Sequence, residues 1–163
     1  MKAAIHRLAL VFFIVATYTH SVSATEDVTP SADYSPAEVV RIVMDALAQN
    51  DMPYTDAGIE TTFRFAAPSN RAMTGPIERF KNLVKSPTYR DLIGHSVYEV
   101  GKIQTTEDSA YVPILLAAKD GRTVAYMFKL GKQVEAPFVD AWMTEAVYPI
   151  QLMPVDKDSG VSA

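Results

Sequence analysis

Residues 111–130 read YVPILLAAKDGRTVAYMFKL, and this stretch decides the fold. Two apolar segments, 111–118 and 123–130, flank the dipeptide Asp120-Gly121, which is a strong signal for the two-residue turn of a β-hairpin. The first segment is apolar on both faces, as expected of a strand that is covered on both sides. In the second segment, alternation places one set of side chains on one face: Val124, Tyr126, Phe128 and Leu130.

The sequence on either side of this hairpin predicts two further strands. Residues 96–103 alternate with a period of two, and Gly101 marks a bulge within them. Residues 141–150 predict the last strand, and alternation places four of its side chains on one face: Trp142, Thr144, Ala146 and Tyr148. Pro113 lies inside a predicted strand although it cannot donate a ladder hydrogen bond, so it indicates either an edge strand or a local bulge.

The strongest local signal before the strands is the start of a helix. Ser35-Pro36-Ala37-Glu38 is a capping box with proline at the first helical position, and it predicts a helix over residues 35–50. A second helix is predicted to begin at Thr55 or Asp56 and to stop at Pro68, because the residue before a proline disfavours the helical conformation. Residues 69–74 are then predicted to form a loop.

A third helix is predicted from Gly75-Pro76 to Ser86-Pro87. The helices therefore come first and the strands follow, which is typical of an α+β domain. We expect three N-terminal helices to pack on a curved antiparallel sheet of about four strands, giving a cone-like shape with an interior cavity. This single domain is predicted to span residues 35–150, between a disordered leader (25–34) and a flexible tail (151–163).

The N-terminus predicts export. Lys2 and Arg7 accompany the apolar run 8–18, and Val22-Ser23-Ala24 offers a cleavage site, so residues 1–24 have the parts of a signal peptide. The apolar run is shorter than the roughly 20 residues that span a membrane, which argues against stable membrane insertion. The prediction is a secreted or extracytoplasmic protein. The alternatives are a plastid protein that uses two-step targeting and a protein anchored by an uncleaved signal.

Charge and residue counts exclude several classes of function. Removing residues 1–24 takes away two of the 15 basic residues and none of the 19 acidic ones, leaving a net charge of −6. This acidity argues against a nucleic-acid partner, which requires a basic surface. The chain has no cysteine, and two of its three histidines, His6 and His20, leave with the signal peptide. A Cys/His zinc site and a cysteine nucleophile are thereby excluded, and no cofactor or metal is predicted.

Four short motifs occur in a fixed order: Arg64-Phe65-Ala66, Gly75-Pro76-x-x-Arg79-Phe80, Tyr89-Arg90-x-Leu92-Ile93-Gly94-His95 and Trp142-Met143-Thr144-Glu145. Together they resemble a domain family of bacteria and plastid-bearing organisms that has no agreed activity. That family is similar to the nuclear-transport-factor-2-like superfamily, which includes ketosteroid isomerase. The resemblance implies a cone-like, cystatin-type fold over roughly residues 35–150. Members of the superfamily bind small apolar molecules, isomerise or dehydrate them, or only bind proteins.

Candidate acid–base residues are few. Histidine is the side-chain type that suits acid–base chemistry near neutral pH, and His95 is the one histidine after residue 24. It is either a general base or ligand contact, or a residue that caps residues 90–93 or fixes the strand entry by a backbone hydrogen bond. Asp91 and Glu145 lie on or beside the sheet, where they are either acid–base groups or solvated side chains at strand ends. The isomerase relatives use an aspartate base, but no aspartate here matches that position.

Candidate ligand-binding residues are Trp142, Tyr98, Tyr126 and His95. Tyr98 and Tyr126 offer hydroxyl donors, and Trp142 offers an apolar ring with an N–H that needs a partner. The alternative for Trp142 is a purely structural place in the core. We therefore predict a non-catalytic module that binds a small molecule or a peptide.

Two alternatives remain. One is an acid–base isomerase or dehydratase that acts on an apolar substrate. The other is a dimerisation or protein-interaction domain with a homodimer as its assembled form, in which Tyr111, Leu115 and Tyr126 form an exposed apolar patch.

Overall fold

The computed structural model of the chain describes residues 28–152. The predicted signal peptide (1–24) and the tail beyond Leu152 lie outside the described residues. The described elements, in chain order, are α1 (Pro36–Ala48), α2 (Ala57–Arg64), α3 (Pro68–Thr74), α4 (Ile77–Val84), a 3₁₀ turn (Arg90–Leu92), β1 (Val97–Val100), β2 (Gln104–Thr105), β3 (Ser109–Ala117), β4 (Thr123–Lys132) and β5 (Trp142–Ile150). The predicted α+β class is confirmed.

Helix α1 begins with the predicted capping box. The Ser35 hydroxyl accepts a hydrogen bond from the Glu38 N–H at 3.3 Å, and the Glu38 carboxylate accepts one from the Ser35 N–H at 2.8 Å. These two bonds satisfy N–H groups that the helix itself leaves without partners. The predicted apolar face of this helix is buried in full: Val39, Val40, Val43, Met44 and Leu47.

The prediction of three helices is wrong by one. Helix α2 ends at Arg64, before Pro68, and residues 68–74 form a short helix instead of the predicted loop. Pro68 occupies the first turn of α3, where a missing N–H costs nothing because no helical partner exists there. The third predicted helix is present as α4, with Phe80 and Val84 on its buried side.

The sheet is open and antiparallel, in the order β1-β3-β4-β5, with β2 also paired to β3. The predicted hairpin joins β3 to β4, but the prediction of a two-residue turn is wrong. Ala117 pairs with Thr123 and the Ala118 N–H donates to the Arg122 carbonyl oxygen at 2.8 Å, so the loop has the three residues 119–121. Gly121 closes this loop with a φ of 85°, which glycine adopts without strain.

Val100 pairs with Ile114, and Gln104 pairs with Tyr111. The three residues 101–103 between β1 and β2 therefore lie opposite only two residues of β3, 112 and 113, which confirms the bulge predicted at Gly101. The Gly101 N–H donates to the Pro113 carbonyl oxygen at 2.8 Å. Pro113 thus faces a bulge in a central strand, and the alternative of an edge strand is wrong.

A second bulge changes the faces of β5. Lys129 pairs with Ala146, whereas the next residue of β4, Leu130, pairs with Thr144, so Glu145 is the extra residue. Thr144 therefore shares a face with Leu130 and the core. The prediction that Ala146 and Tyr148 lie on that same face is wrong, because the bulge inverts the alternation after Glu145.

The helices cover one face of the sheet. Val112, Ile114 and Leu116 of β3 and Tyr126, Phe128 and Leu130 of β4 are buried on this inner face. The opposite, outer face carries the alternate residues, and Tyr111 and Leu115 are 38% and 40% exposed there. Tyr126 is only 2% exposed, so its predicted place in an exposed patch with Tyr111 and Leu115 is wrong. Among residues 28–152, no helix has the length and apolar character needed to span a membrane.

Candidate functional site

A cavity of about 300 Å³ lies between helices α2, α3 and α4 and the last strand, β5. Its wall is mainly apolar because the helices turn their hydrophobic faces toward the inner face of the sheet. The side chains that give it this character come from four different elements and from the linker between α2 and α3: Leu47, Ala66, Phe80, Val84, Leu92 and Phe128. The site is therefore a product of the packing of the whole domain and not of one local motif.

Thr144 of β5 is held in place at the wall of the cavity by its backbone. Its N–H donates to the Phe65 carbonyl oxygen at 2.9 Å, and its own carbonyl oxygen accepts from the Ala67 N–H at 2.8 Å. Ala66 forms a parallel bridge with Thr144 between these two bonds. The linker between α2 and α3 thus fixes this part of β5 from the side opposite β4.

The Thr144 hydroxyl is buried without a hydrogen-bond partner among residues 28–152. Thr144 as a whole is 4% exposed, and it shares the inner face of the sheet with Leu130. A buried hydroxyl without a partner costs free energy, and such groups are rare in folded proteins. The burial of this hydroxyl therefore costs the folded state free energy that no contact within residues 28–152 offsets.

Asn70 of α3 lies beside Thr144 and also lines the cavity. Its side-chain N–H₂ donates to the Thr144 carbonyl oxygen at 3.1 Å. Because a carbonyl oxygen can only accept a hydrogen bond, this contact requires that the N–H₂ end of the Asn70 amide, and not its oxygen, faces β5. The side-chain oxygen of Asn70 has no hydrogen-bond partner within the described part of the chain.

Three other hydroxyl groups of the lining are already engaged. Thr62 donates to the Gly58 carbonyl oxygen at 2.9 Å, and Thr74 donates to the Asn70 backbone carbonyl oxygen at 2.9 Å. Tyr89 donates to the Val147 carbonyl oxygen at 3.2 Å. Each of these groups has used its single hydrogen, so Thr144 differs from them in having a free donor.

The cavity presents no free charge. Glu145 lines it but extends its side chain over Gly131, where any added Cβ would overlap the Glu145 carboxylate. That carboxylate accepts a hydrogen bond from Lys129 at 2.8 Å on the outer face of the sheet, and this contact raises the pKa of the lysine. The lining contains no lysine, arginine or histidine.

His95 is buried but lies outside the cavity lining. Its Nδ1 is 2.8 Å from the Leu92 carbonyl oxygen, which only accepts, so the proton is on Nδ1. Its ring meets that of Tyr98 edge-on at 5.4 Å between centroids, which brings two predicted ligand-binding residues together. Nε2 has no partner in the described structure. The hydrogen bond to Leu92 matches the structural alternative, in which His95 fixes the entry to β1.

The other predicted ligand-binding residues are also absent from the lining. Tyr98 donates to the Asp45 carboxylate at 2.8 Å, and burial together with this bond raises its pKa to about 12. Tyr126 donates to the Thr88 carbonyl oxygen at 2.8 Å, and burial raises its pKa to about 12. Trp142 is 9% exposed and packs in the core. The predicted ligand-binding role of these side chains stays a prediction.

Asp91 lies at a different surface. The Arg122 guanidinium donates to both of its carboxylate oxygens, at 2.9 and 3.0 Å. Asp91 lines an open groove together with Arg90, Lys119 and Asp120. Of the three predicted acid–base candidates, Glu145 alone reaches the cavity, and its carboxylate is paired outside it. Residues 28–152 contain no group of three or more acidic or histidine side chains placed to hold a metal ion.

Sequence reasoning missed Thr62, Asn70 and Thr144 as site residues. A signal for Thr144 was present, because its polar side chain falls on the predicted inner face of a strand that also carries Trp142. Asn70 gave no signal, since its segment was predicted as a loop. Comparisons of the chain with protein-family models, curated proteins and solved structures find no match. The superfamily resemblance therefore depends on the four sequence motifs alone.

Proposed function

We propose that this protein is a non-catalytic binding module that holds a neutral, largely apolar small molecule in the cavity between α2–α4 and β5. The observation that carries the proposal is the apolar cavity itself. Its volume of about 300 Å³ is at the lower end of the range typical of small-molecule sites. A hollow of this kind at the inner face of the sheet is also what the superfamily resemblance implies.

The charges of the site favour a neutral ligand. Moving an ion from water into an apolar cavity costs much free energy unless an opposite charge or several hydrogen bonds compensate. The lining offers no cation, and its one carboxylate, Glu145, is already bound by Lys129. A neutral molecule of about two fused rings suits these conditions.

The same charges favour binding over acid–base catalysis. An isomerase or dehydratase needs a general base within hydrogen-bond reach of the substrate. Asp91 is bound by Arg122 at another surface, and His95 lies outside the cavity lining. The cavity residues offer hydroxyl and amide groups instead, which orient a ligand but do not remove a proton from carbon.

The proposal is tested with 1-methylnaphthalene as the probe, added to the full chain without residues 1–24 and followed by probe fluorescence. We expect saturable binding at one site. Thr62→Phe places a ring in the cavity and should weaken binding at least about tenfold, because filled volume excludes the probe. Thr61→Phe is the matched control, since Thr61 is the adjacent residue and lines a groove on another side of α2.

Circular dichroism establishes that both variants are folded before they are titrated. Binding that Thr62→Phe leaves unchanged would place the probe elsewhere. Absence of saturable binding by the wild-type chain up to the solubility of the probe would refute the proposal outright.

A further inference from the structure

We infer that the ligand is longer than the cavity: a neutral, lipid-like molecule whose compact end lies inside and whose alkyl chain crosses Met73 and Leu83 at the mouth. The inference rests on the proposed binding function and adds the chemical class of the ligand. Two observations carry it. Both side chains line the cavity, and both are exposed to solvent, Met73 to 78% and Leu83 to 36%.

The exposure of these two side chains locates the mouth of the cavity between α3 and α4. Met73 belongs to α3, which buries none of its residues, and Leu83 belongs to α4. A third lining residue, Tyr148, is also exposed, but it lies opposite Met127 of β4 on the outer face of the sheet. On the helix side, the cavity wall therefore reaches solvent through a methionine and a leucine.

The apolar wall is continuous from the interior to the mouth along α4. Phe80 and Val84 are buried and line the cavity, and Leu83 lines it beside them at the surface. The Thr74 hydroxyl, next to Met73, is bound to a backbone carbonyl oxygen of its own helix. A chain that leaves the cavity past Met73 and Leu83 thus meets apolar side chains and breaks no hydrogen bond.

The size of this exposed apolar surface favours an alkyl chain over a protein partner. A stable protein interface uses roughly 20–30 residues on each side, and the mouth offers two. Single exposed apolar side chains are normal, but these two adjoin a cavity of about 300 Å³, which is small for a ligand site. A ligand confined to the cavity leaves both exposed, whereas an attached chain covers them. Methionine suits this role because its unbranched side chain adapts to irregular shapes.

The test compares 1-butylnaphthalene with 1-methylnaphthalene, two probes that share a ring system and differ by three methylene groups. Both are titrated against the full chain without residues 1–24 and followed by probe fluorescence. We expect the wild-type chain to bind the butyl probe about tenfold more tightly. Fully buried methylene groups would give a larger ratio, but a chain that lies across the mouth is covered on one side only.

A double variant, Met73→Gln with Leu83→Gln, makes the mouth polar with side chains of similar length that suit a helix. It should reduce the ratio of the two affinities to about twofold or less. Met52→Gln is the matched control, because Met52 is 69% exposed but lines a different groove, between α1 and α2. It should leave the ratio unchanged. Circular dichroism establishes that the variants are folded.

A wild-type ratio of one or less would refute the inference and leave the binding function intact. A wild-type preference for the butyl probe that persists in the double variant would place the chain elsewhere and refute the role of the mouth. An equal fall of the ratio in Met52→Gln would refute it as well. If neither probe binds, the binding function fails and the inference fails with it.

Discussion

Replacing Thr144 by valine should make the protein more stable. Valine has nearly the shape of threonine, so the substitution opens no cavity, and it suits a strand equally well. What it removes is a buried hydroxyl that has no hydrogen-bond partner in the described residues. The folded state then no longer bears the cost of taking this group out of water.

The size of the effect follows from the burial of Thr144, which is 4% exposed. An unsatisfied buried polar group costs about 1–3 kcal/mol. We therefore expect Thr144→Val to raise the free energy of unfolding by roughly 1–2 kcal/mol. For a domain of this size, such a gain should raise the melting temperature by roughly 3–8 °C.

Urea unfolding followed by the fluorescence of Trp142, the chain's single tryptophan, measures this change directly. The midpoint should rise while the slope of the transition stays the same, because the surface exposed on unfolding does not change. Thr62→Val is an informative control in the same cavity. It breaks a 2.9 Å hydrogen bond to Gly58 and should lower stability by about 1 kcal/mol, which is a change of opposite sign.

A loss of stability in Thr144→Val would refute this reasoning. It would mean that the hydroxyl is hydrogen-bonded in solution, for example to a bound water molecule.

Three further predictions concern the rest of the fold. Gly58→Ala should lower the free energy of unfolding by about 3 kcal/mol in urea titrations, because the added Cβ overlaps the Ala46 carbonyl oxygen between α1 and α2. The hydrogen bond from Lys85 at 2.7 Å lowers the pKa of Asp56, so stability should fall as the pH drops through the acidic range. Asp56→Asn should lose about 1 kcal/mol at pH 7 and most of this pH dependence in urea midpoints. Burial raises the pKa of Tyr126 to about 12, so roughly 2–3 kcal/mol of the free energy of unfolding should be lost as the pH rises from about 10 to about 12. Tyr126→Phe should lose less stability over this range, which unfolding measurements combined with tyrosinate absorbance would show.

Local signals predicted the elements of the fold well. The capping box at Ser35 depends on a few adjacent residues and forms as the sequence indicates. The hairpin at Asp120-Gly121 also forms, but its loop has three residues instead of the predicted two, because the register of β3 against β4 sets the loop length. Pro68 shows the limit of such signals. A proline ends one helix or begins the next with the same local chemistry, and the choice at Pro68 depends on how the 65–67 linker packs against β5.

The site was less predictable than the fold because it depends on contacts between distant residues. The bulge at Glu145 is set by pairing with Lys129 and Leu130 of the preceding strand, and it decides which residues of β5 face the helices. The cavity wall brings Thr144 together with Thr62 and Asn70, which lie far from it in the sequence, on helices that precede the first strand. Alternation alone identified Thr144 as a polar residue on the inner face but not what surrounds it.

The pairing of the 65–67 linker with Thr144 also bears on how the protein avoids self-association. The last strand of an open sheet presents unpaired backbone groups that invite edge-to-edge aggregation. Here the linker occupies part of that edge, the Tyr89 hydroxyl takes the Val147 carbonyl oxygen, and Pro149 has no N–H to offer. A strand of another molecule therefore has few unpaired backbone groups of β5 to bind. The 65–67 linker, which helps to form the cavity, thus also opposes edge-to-edge association of the sheet.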